Sequence, residues 1–414
     1  MSGNKNKTLI VTPCGLPIPA VKGGAVLTLT ESIIKQNEVN DILDLSIVGI
    51  YDNQAIEEAK TYKNTDFIFL KPSLFYKFSD KIMSIFEKLA HKKHRQIWRK
   101  LYVLRKLKKI LISDEYDSVV FENAGYLLRV LKNKKISDKY ESKLFYHLHN
   151  DIPDNIYKEG VKKCRLLLIS NYLSKKIIKL CGEDIKKQCL ILHNGFDYAR
   201  FAQQLSNSEK ERLLSSLGIP ADKKIIIFAG RIDPTKGIYQ LVECVSQLDR
   251  PDVMLLIIGS HNFGSFETSA FAKKMSLKFA EMTDKIRFTG YVPYADIWKY
   301  YKLADVAVLP SMWEEPMGLT IVEAMSAGLP VVTTVSGGIP EFIDERFGIL
   351  LERNESLIEN MKRAIYEILD NYDKWRAKGQ AASVNIASVI DEYNFYYKFC
   401  SYVCSEFNVN NMHN

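Results

Sequence analysis

The sequence predicts an α/β chain of two doubly wound, Rossmann-like domains. Short β-branched and aromatic runs alternate with longer amphipathic stretches, the alternation of a parallel sheet wrapped by helices. That pattern stops near residues 196–222, where a polar stretch ends at Gly218 and Pro220, and then restarts. The length of 414 residues suits two or three domains of roughly 100–200 residues each.

Lys7–Thr12 reads as the first strand, and Gly23-Gly24 opens a helix over Ala25–Gln36. Leu45–Ile50, Asp66–Leu70, Ser118–Phe121, Lys143–His147, Leu166–Ile169 and Leu190–Leu192 read as further strands. Ser206–Leu217 is helix-capable. After it Lys224–Ala229 is a strand, and Val253–Ile258 is wholly apolar, as a strand buried on both faces should be. Ile286–Thr289, Val306–Leu309 and Leu329–Thr333 come next, with a helix over Thr320–Ser326. From Ser383 onward the chain reads as one aromatic helix carrying Tyr393, Phe395, Tyr396, Phe399, Tyr402 and Phe407. The expected division is 1–200, 201–382 and a terminal helix over 383–414 that packs back toward the first domain.

With 47% hydrophobic and 26% charged residues, disorder, collagen and coiled coil are excluded as readings of the whole chain. No stretch reaches the ~18–20 apolar residues of a spanning helix. Met1–Lys7 is polar, and Pro13, Gly15, Pro17 and Pro19 break the run after it. That is a poor secretion signal, so a cytoplasmic protein is expected. Seven scattered cysteines without a C-x-x-C pair suit reduced thiols better than disulfides or zinc.

Charge divides the chain. Residues 1–200 carry 35 Lys and Arg against 22 Asp and Glu, a net +13, whereas residues 201–414 carry 22 against 27, a net −5. Residues 81–110 concentrate 11 cations around the single acid Glu87, with Trp98, Leu101, Tyr102 and Leu104 interleaved at helical spacing. This suits a basic amphipathic helix on an anionic membrane surface. It equally suits a core-facing helix with a solvated basic side. Nucleic acid is not an expected partner.

Two clusters carry chemistry. Glu315-Pro316-Met317-Gly318-Leu319-Thr320-Ile321-Val322-Glu323 runs from a loop into a helix. Free N–H groups near Gly318, Leu319 and Thr320 favour a phosphate. Glu315 and Glu323 can accept hydrogen bonds from the hydroxyls of a sugar and of a ribose; the plainer reading is a helix with a carboxylate at each end. The second cluster, Gly230 to Gly237, places Arg231 and Lys236 at the carboxyl end of a strand, where open α/β sheets bind ligands. Two cations there can neutralise a diphosphate, or decorate a solvated turn. His147 and His149 end a strand on one side of it.

Together with Ile257 to Ser260, Phe288 to Val292, Ala304 to Ser311, Ala327 to Val332 and Gly337 to Glu341, these clusters resemble glycosyltransferase family 4 in order and spacing. The resemblance covers nearly the whole chain. It implies the GT-B fold, two Rossmann-like domains facing across a cleft, the first taking the acceptor and the second the nucleotide-sugar. By the resemblance Glu323 binds the ribose and Glu315 the donor sugar. Arg231 and Lys236 hold the diphosphate with the amides of Gly318, Leu319 and Thr320, and backbone around Arg287 and Phe288 reads the base. Gly23 and Gly24 resemble the family's Gly-Gly loop, and His193 to Asp197 the motif closing its first domain, read as hinge structure. His149, followed by Asn150 where the family often has Asp, resembles a histidine near the donor sugar.

The resemblance thus implies a retaining transfer from a nucleotide-diphosphate sugar, UDP-sugar favoured over GDP-sugar, to a carbohydrate or lipid-linked hydroxyl. Bacterial surface polysaccharide or glycolipid assembly is the expected setting, with a peripheral position at the inner face of the cell membrane. No D-x-D occurs, so no metal is expected, and protein cations take over its charge role. A GT-B-fold sugar-nucleotide epimerase or hydrolase is the nearest alternative. A non-catalytic basic membrane- or nucleic-acid-binding module is a further one, but it leaves the motifs over 230–341 unexplained.

Overall fold

The computed structural model describes residues 5–71, 97–152, 156–259 and 270–404. The chain forms two compact units, residues 1–196 with 392–414, and residues 197–391.

The first unit is built on a seven-stranded parallel sheet. Its strands are β1 (Asn6–Val11), β2 (Leu43–Ile50), β3 (Thr65–Leu70), β4 (Ser118–Glu122), β5 (Leu144–Leu148), β6 (Arg165–Leu168) and β7 (Cys189–Ile191), in spatial order β3-β2-β1-β4-β5-β6-β7. The winding reverses between β1 and β4, so the loops after these two strands diverge and leave a crevice. Ile10, paired with Ile47 on one side and Val120 on the other, is fully buried. Such central strands are apolar on both faces because helices cover both. One of these helices, Ala25–Asn40, starts at Gly24 with φ +108°, a conformation that glycine adopts at little cost.

The second unit repeats the plan with six parallel strands: β8 (Lys224–Ala229), β9 (Val253–Ile258), β10 (Ile286–Gly290), β11 (Val306–Leu309), β12 (Val331–Thr334) and β13 (Gly348–Leu351). Their order, β10-β9-β8-β11-β12-β13, places the reversal between β8 and β11. β8, β9 and β11 lie where the apolar runs predict. The Asn207–Ser216 helix begins with a reciprocal Ser206–Glu209 capping box, which satisfies two N–H groups at its start. The edge strand β13 is absent from the sequence-based expectation; only four residues long and half-exposed at Ile349 and Leu350, it lacks a strong apolar signature.

The single helix expected from Ser383 is in fact two. Ser383 lies within the Tyr372–Ile390 helix of the second unit, and a separate Glu392–Val403 helix belongs to the first. Asp391, with φ −54° and ψ 136°, breaks the helical path between them. Phe407 lies outside the described residues. The Glu392–Val403 helix buries Phe395, Tyr396, Phe399 and Cys400 among Ile33, Ile34, Ile47, Phe145 and Leu192. Tyr396 Oη donates to Asn37 Oδ1 (2.6 Å), and Ser118 Oγ donates to the Val403 carbonyl (2.6 Å). Gly195 is required here, since a Cβ would stand 2.6 Å from the Phe395 ring.

All seven cysteines are free. Among the described residues no helix is long and apolar enough to cross a membrane.

Phe399 is fully buried, so Phe399→Ala is expected to destabilise the first unit by about 3–5 kcal/mol through lost burial and a residual cavity. Urea denaturation reads this as a lowered midpoint. An unchanged midpoint would show that the helix adds nothing to that core.

Candidate functional site

In the second unit β8 and β11 are parallel neighbours where the strand order reverses, and the two loops leaving them meet. The loop after β8 turns at Asp233, whose side chain caps the Pro234–Lys236 turn by accepting from Thr235 N (2.9 Å). At Gly237, with φ +68°, a Cβ would stand 1.9 Å from the Pro310 carbonyl oxygen. Glycine therefore lets this loop lie directly on the loop after β11. Met312 N donates to Thr235 O (2.8 Å), and the Ser311 hydroxyl lies 3.4 Å from the same oxygen.

This stitching brings Lys236 Nζ onto Glu315 Oε1 as an ion pair, with the ammonium 5.4 Å from the Trp313 ring centre. The two side chains are 23% and 11% exposed, so water screens the pair only partly. Ser311 Oγ donates to the same carboxylate oxygen (3.1 Å). The Glu315 backbone is held too. Its N–H donates to Ser336 Oγ (3.3 Å), and its carbonyl accepts from Gly338 N (2.7 Å). A Cβ on Gly337 would stand 2.1 Å from that carbonyl. Loops following β8, β11 and β12 thus converge on one carboxylate.

Below them the Leu319–Ser326 helix starts at Gly318, in the left-handed region at φ +83°. The first N–H groups of a helix lack intrahelical acceptors and point out of its positive end. Lys236, Glu315, Gly318 and Thr320 line one small void of about 20 Å³. The structure therefore brings these four predicted residues together, with Leu319 beside them.

The other predicted residues stand apart from that void. Arg231 is exposed and pairs with Asp233 (3.4 Å). The Arg287 guanidinium donates to the carbonyls of Leu217 and Gly218 (3.0 Å each), tying β10 to the end of the Asn207–Ser216 helix. Phe288 is partly exposed on β10. At the carboxyl ends of β8, β9 and β10 stand Gly230, Gly259 and Gly290, and a Cβ on Gly259 would lie 1.8 Å from Gly230 O. That contact leaves bare backbone at the sheet edge.

Glu323 is buried one turn into the helix, where its Oε2 accepts from Tyr301 Oη (2.9 Å). Burial pushes its pKa up from 4.5 to about 7, against the opposing pull of the Tyr301 hydrogen bond.

In the first unit Gly23 and Gly24 both have positive φ, and a Cβ on Gly23 would meet open space. His149 ends the β5 edge and is almost wholly enclosed. Its Nε2 bonds Glu122 Oε2 (2.7 Å), and its Nδ1 lies 3.0 Å from the Asn194 side-chain amide. His147 Nδ1 bonds the other Glu122 oxygen (3.0 Å). Burial opposes a charge on Glu122, yet the two histidines outweigh it and hold the carboxyl well below its ordinary range. An ionised carboxylate only accepts, so His147 Nδ1 and His149 Nε2 each carry a hydrogen. Burial keeps the His147 pKa down, against the pull of Glu122, and its Nε2 has no partner among the described residues. Glu122, His147 and His149 offer ligand atoms within 4.8 Å of one another. They bond each other instead, and a cation there would have to displace both N–H···O bonds.

A wider depression, about 910 Å³, lies at the opposite, amino-terminal edge of this sheet, among Lys7, Asp44, Asp66, Tyr116 and Lys143. Charges of both signs line it, and it is remote from the strand ends that bind ligands in such sheets.

Sequence reasoning missed Tyr301, Glu122 and the side-chain roles of Ser311, Ser336 and Asn194. Glu122 had a visible signal, a carboxylate at the end of an apolar strand. Tyr301, inside a run of ordinary helix residues, had none.

Residues 209–383 match the family model described as glycosyl transferases group 1. Spore coat protein SA of Bacillus subtilis is 29% identical over 222 residues, 52% of this chain and 58% of its own length. The lipopolysaccharide 1,2-N-acetylglucosaminetransferase of Salmonella typhimurium is 29% identical over 235 residues, 54% of this chain and 58% of its own. These alignments thus span little more than half of either relative. The crystal structure of Anabaena Alr3699/HepE in complex with UDP-glucose superposes with a TM-score of 0.69 at 19% identity, over 95% of this chain and 98% of that one. The two-sheet architecture is the GT-B fold.

The raised pKa of Glu323 sets a sign for stability. The unfolded chain ionises this carboxyl near 4.5 and the folded chain only near 7. Folding therefore loses stability as pH rises through that window, by up to about 3 kcal/mol above it. Glu323→Gln is expected to stabilise the unliganded protein at pH 8 and hardly at pH 4.5, by chemical denaturation. A gain of equal size at both values would show that charge is not its origin.

Proposed function

We propose that the protein is a retaining, metal-independent glycosyltransferase that moves a sugar from a nucleotide-diphosphate sugar to a hydroxyl of a carbohydrate or lipid-linked acceptor. One observation carries this reading. The Lys236–Glu315 pair stands over the positive end of the Leu319–Ser326 helix, at the winding reversal between β8 and β11. A cation and oriented amides suit a diphosphate, and the carboxylate beside them suits a sugar hydroxyl.

In this reading Lys236, Arg231 and the amides of Gly318, Leu319 and Thr320 take up the charge that develops on the leaving diphosphate, in place of a metal ion. Glu315 orients the sugar, and Glu323 accepts from the ribose hydroxyls. Backbone at Arg287 and Phe288 meets the base, and UDP is favoured because UDP-glucose occupies the Anabaena structure. Gly23, Gly24 and His149 are the residues of the first unit assigned to the donor. The acceptor hydroxyl attacks on the face that the diphosphate leaves, and the departing β-phosphate oxygen takes its proton. The relative acting on lipopolysaccharide supports a surface glycan or glycolipid as acceptor.

The basic stretch supports a peripheral position on anionic lipid. Residues 81–96 lie outside the described residues, but Ile97–Ser113 is a helix. Val103, Leu107, Leu111 and Tyr102 face the core, where Tyr102 Oη donates to Lys71 O (2.6 Å). Lys100, Arg105, Lys106, Lys108 and Lys109 lie on the exposed side with Leu101. Each cation near an anionic surface contributes about 1 kcal/mol.

Lys236→Ala is expected to lower turnover of the accepted donor about 100- to 1000-fold, measured as released nucleotide across a panel of UDP- and GDP-sugars. Wild-type turnover in the variant would sink the assignment. Activity is expected to persist in EDTA, and loss that Mg²⁺ or Mn²⁺ restores would contradict it. Co-sedimentation should favour anionic over neutral vesicles and weaken with salt. It should fall when Lys100, Arg105, Lys108 and Lys109 are all changed to Glu; indifference to lipid charge would return this helix to a packing role.

A further inference from the structure

Tyr301 closes the Tyr294–Tyr301 helix and is fully buried. Phe201 meets its ring edge-on, with centroids 5.8 Å apart, which fixes where the hydroxyl points. That hydroxyl has one proton and two acceptors in reach, Glu323 Oε2 at 2.9 Å and Thr320 O at 3.3 Å. The nearer carboxylate oxygen takes it, since a charged acceptor makes the stronger bond. The phenol therefore holds the carboxylate one turn into the Leu319–Ser326 helix, with Thr320 O standing close by.

A vicinal diol needs two acceptor positions. An ionised carboxylate has about four lone-pair sites, so it can serve Tyr301 and still accept from both hydroxyls. A protonated one turns part of one oxygen into a donor and accepts at fewer sites, and more weakly. Burial alone drives Glu323 toward the protonated form, and Tyr301 is the group that opposes it. The elements packed on the Leu319–Ser326 helix supply little else that titrates nearby. β11 and β12 carry no titratable side chain. The Tyr372–Ile390 helix presents Ser383, bonded to Ser326 O (3.1 Å). The Tyr198–Ala202 helix presents Arg200 over the Tyr294 ring, and Tyr294 acts on Tyr301. Lys302 turns away to Ala327 O (2.8 Å).

We propose that Tyr301 is a positioning residue for donor binding, whose hydroxyl holds Glu323 in the orientation and charge state that a ribose diol requires. The inference rests on the proposed assignment of Glu323 to the ribose.

The test is titration calorimetry of UDP, GDP and their 2′-deoxy forms, from pH 5.5 to 9, on wild type, Tyr301→Phe and Glu323→Ala. In Tyr301→Phe, binding of the ribonucleotide is expected to weaken about tenfold at pH 7, to recover toward pH 9, and to fall more than that of the 2′-deoxy form, which keeps only one of the two hydroxyls; a shift of one pH unit corresponds to that factor. A pH-independent loss shared by both nucleotide forms would overturn the proposal and leave Tyr301 a packing residue. So would wild-type binding throughout. The assignment of Glu323 fails separately, if wild type and Glu323→Ala distinguish ribose from deoxyribose equally. A ligand-free arm reads the pair directly. The pH dependence of unfolding should move to higher pH in Tyr301→Phe and show no such move when Glu323→Gln is already present. Absence of that move would refute the link between the two side chains even where no nucleotide binds.

Discussion

The Lys236–Glu315 ion pair is the contact on which the arrangement of the second unit's ligand edge depends. The two residues come from loops after different strands, and each loop is shaped to reach the other. Gly237 allows backbone to rest on Pro310, Ser311 adds a second donor to the carboxylate, and Gly337 and Gly338 close from a third strand. β8 and β11 are adjacent parallel strands, so their loops leave the same sheet edge side by side, and the close approach of Gly237 to Pro310 lets them touch. A half-buried cation and carboxylate are costly to separate without a replacement partner. The pair therefore holds both heads in place.

Two buried glutamates show how environment divides one residue type into two roles. Glu122 receives a hydrogen from each of two imidazoles and stays ionised in a fully enclosed place. Glu323 has a single phenol for a partner, and burial leaves it poised close to neutrality. The number of donors aimed at the carboxylate decides the difference, because each hydrogen bond to the charged form offsets part of the desolvation cost. The first carboxylate organises His147 and His149 at the β5 edge. Among the described residues the second is held by the Tyr301 hydroxyl alone.

The terminal helix shows a different constraint. Its aromatic face completes the core of the unit whose strands were laid down some two hundred residues earlier in the chain. Asn194-Gly195-Phe196, read from sequence as a hinge motif, is also a packing and hydrogen-bonding element there. Asn194 reaches His149, and the bare Gly195 backbone accepts the Phe395 ring. One short segment thus links the fold's last helix to the strand edge where His149 stands.

By itself the sequence determined the two parallel sheets, most of their strands, and the glycine- and cation-bearing loops at strand ends, because apolar runs, glycines and cations recur in a local pattern. Lys236, Glu315, Gly318 and Thr320 were legible in this way. Tertiary structure alone decided which of these groups touch. Lys236 and Glu315 are 79 residues apart, Tyr301 and Glu323 are 22 apart, and Glu122 and His149 are 27 apart. No local periodicity encodes such contacts. The break at Asp391 and the short edge strand β13 belong to the same class, since packing partners rather than local propensity settle where each begins and ends. Burial, and with it the charge state of Glu122 and Glu323, exists only once the sheets and helices have closed around those carboxylates.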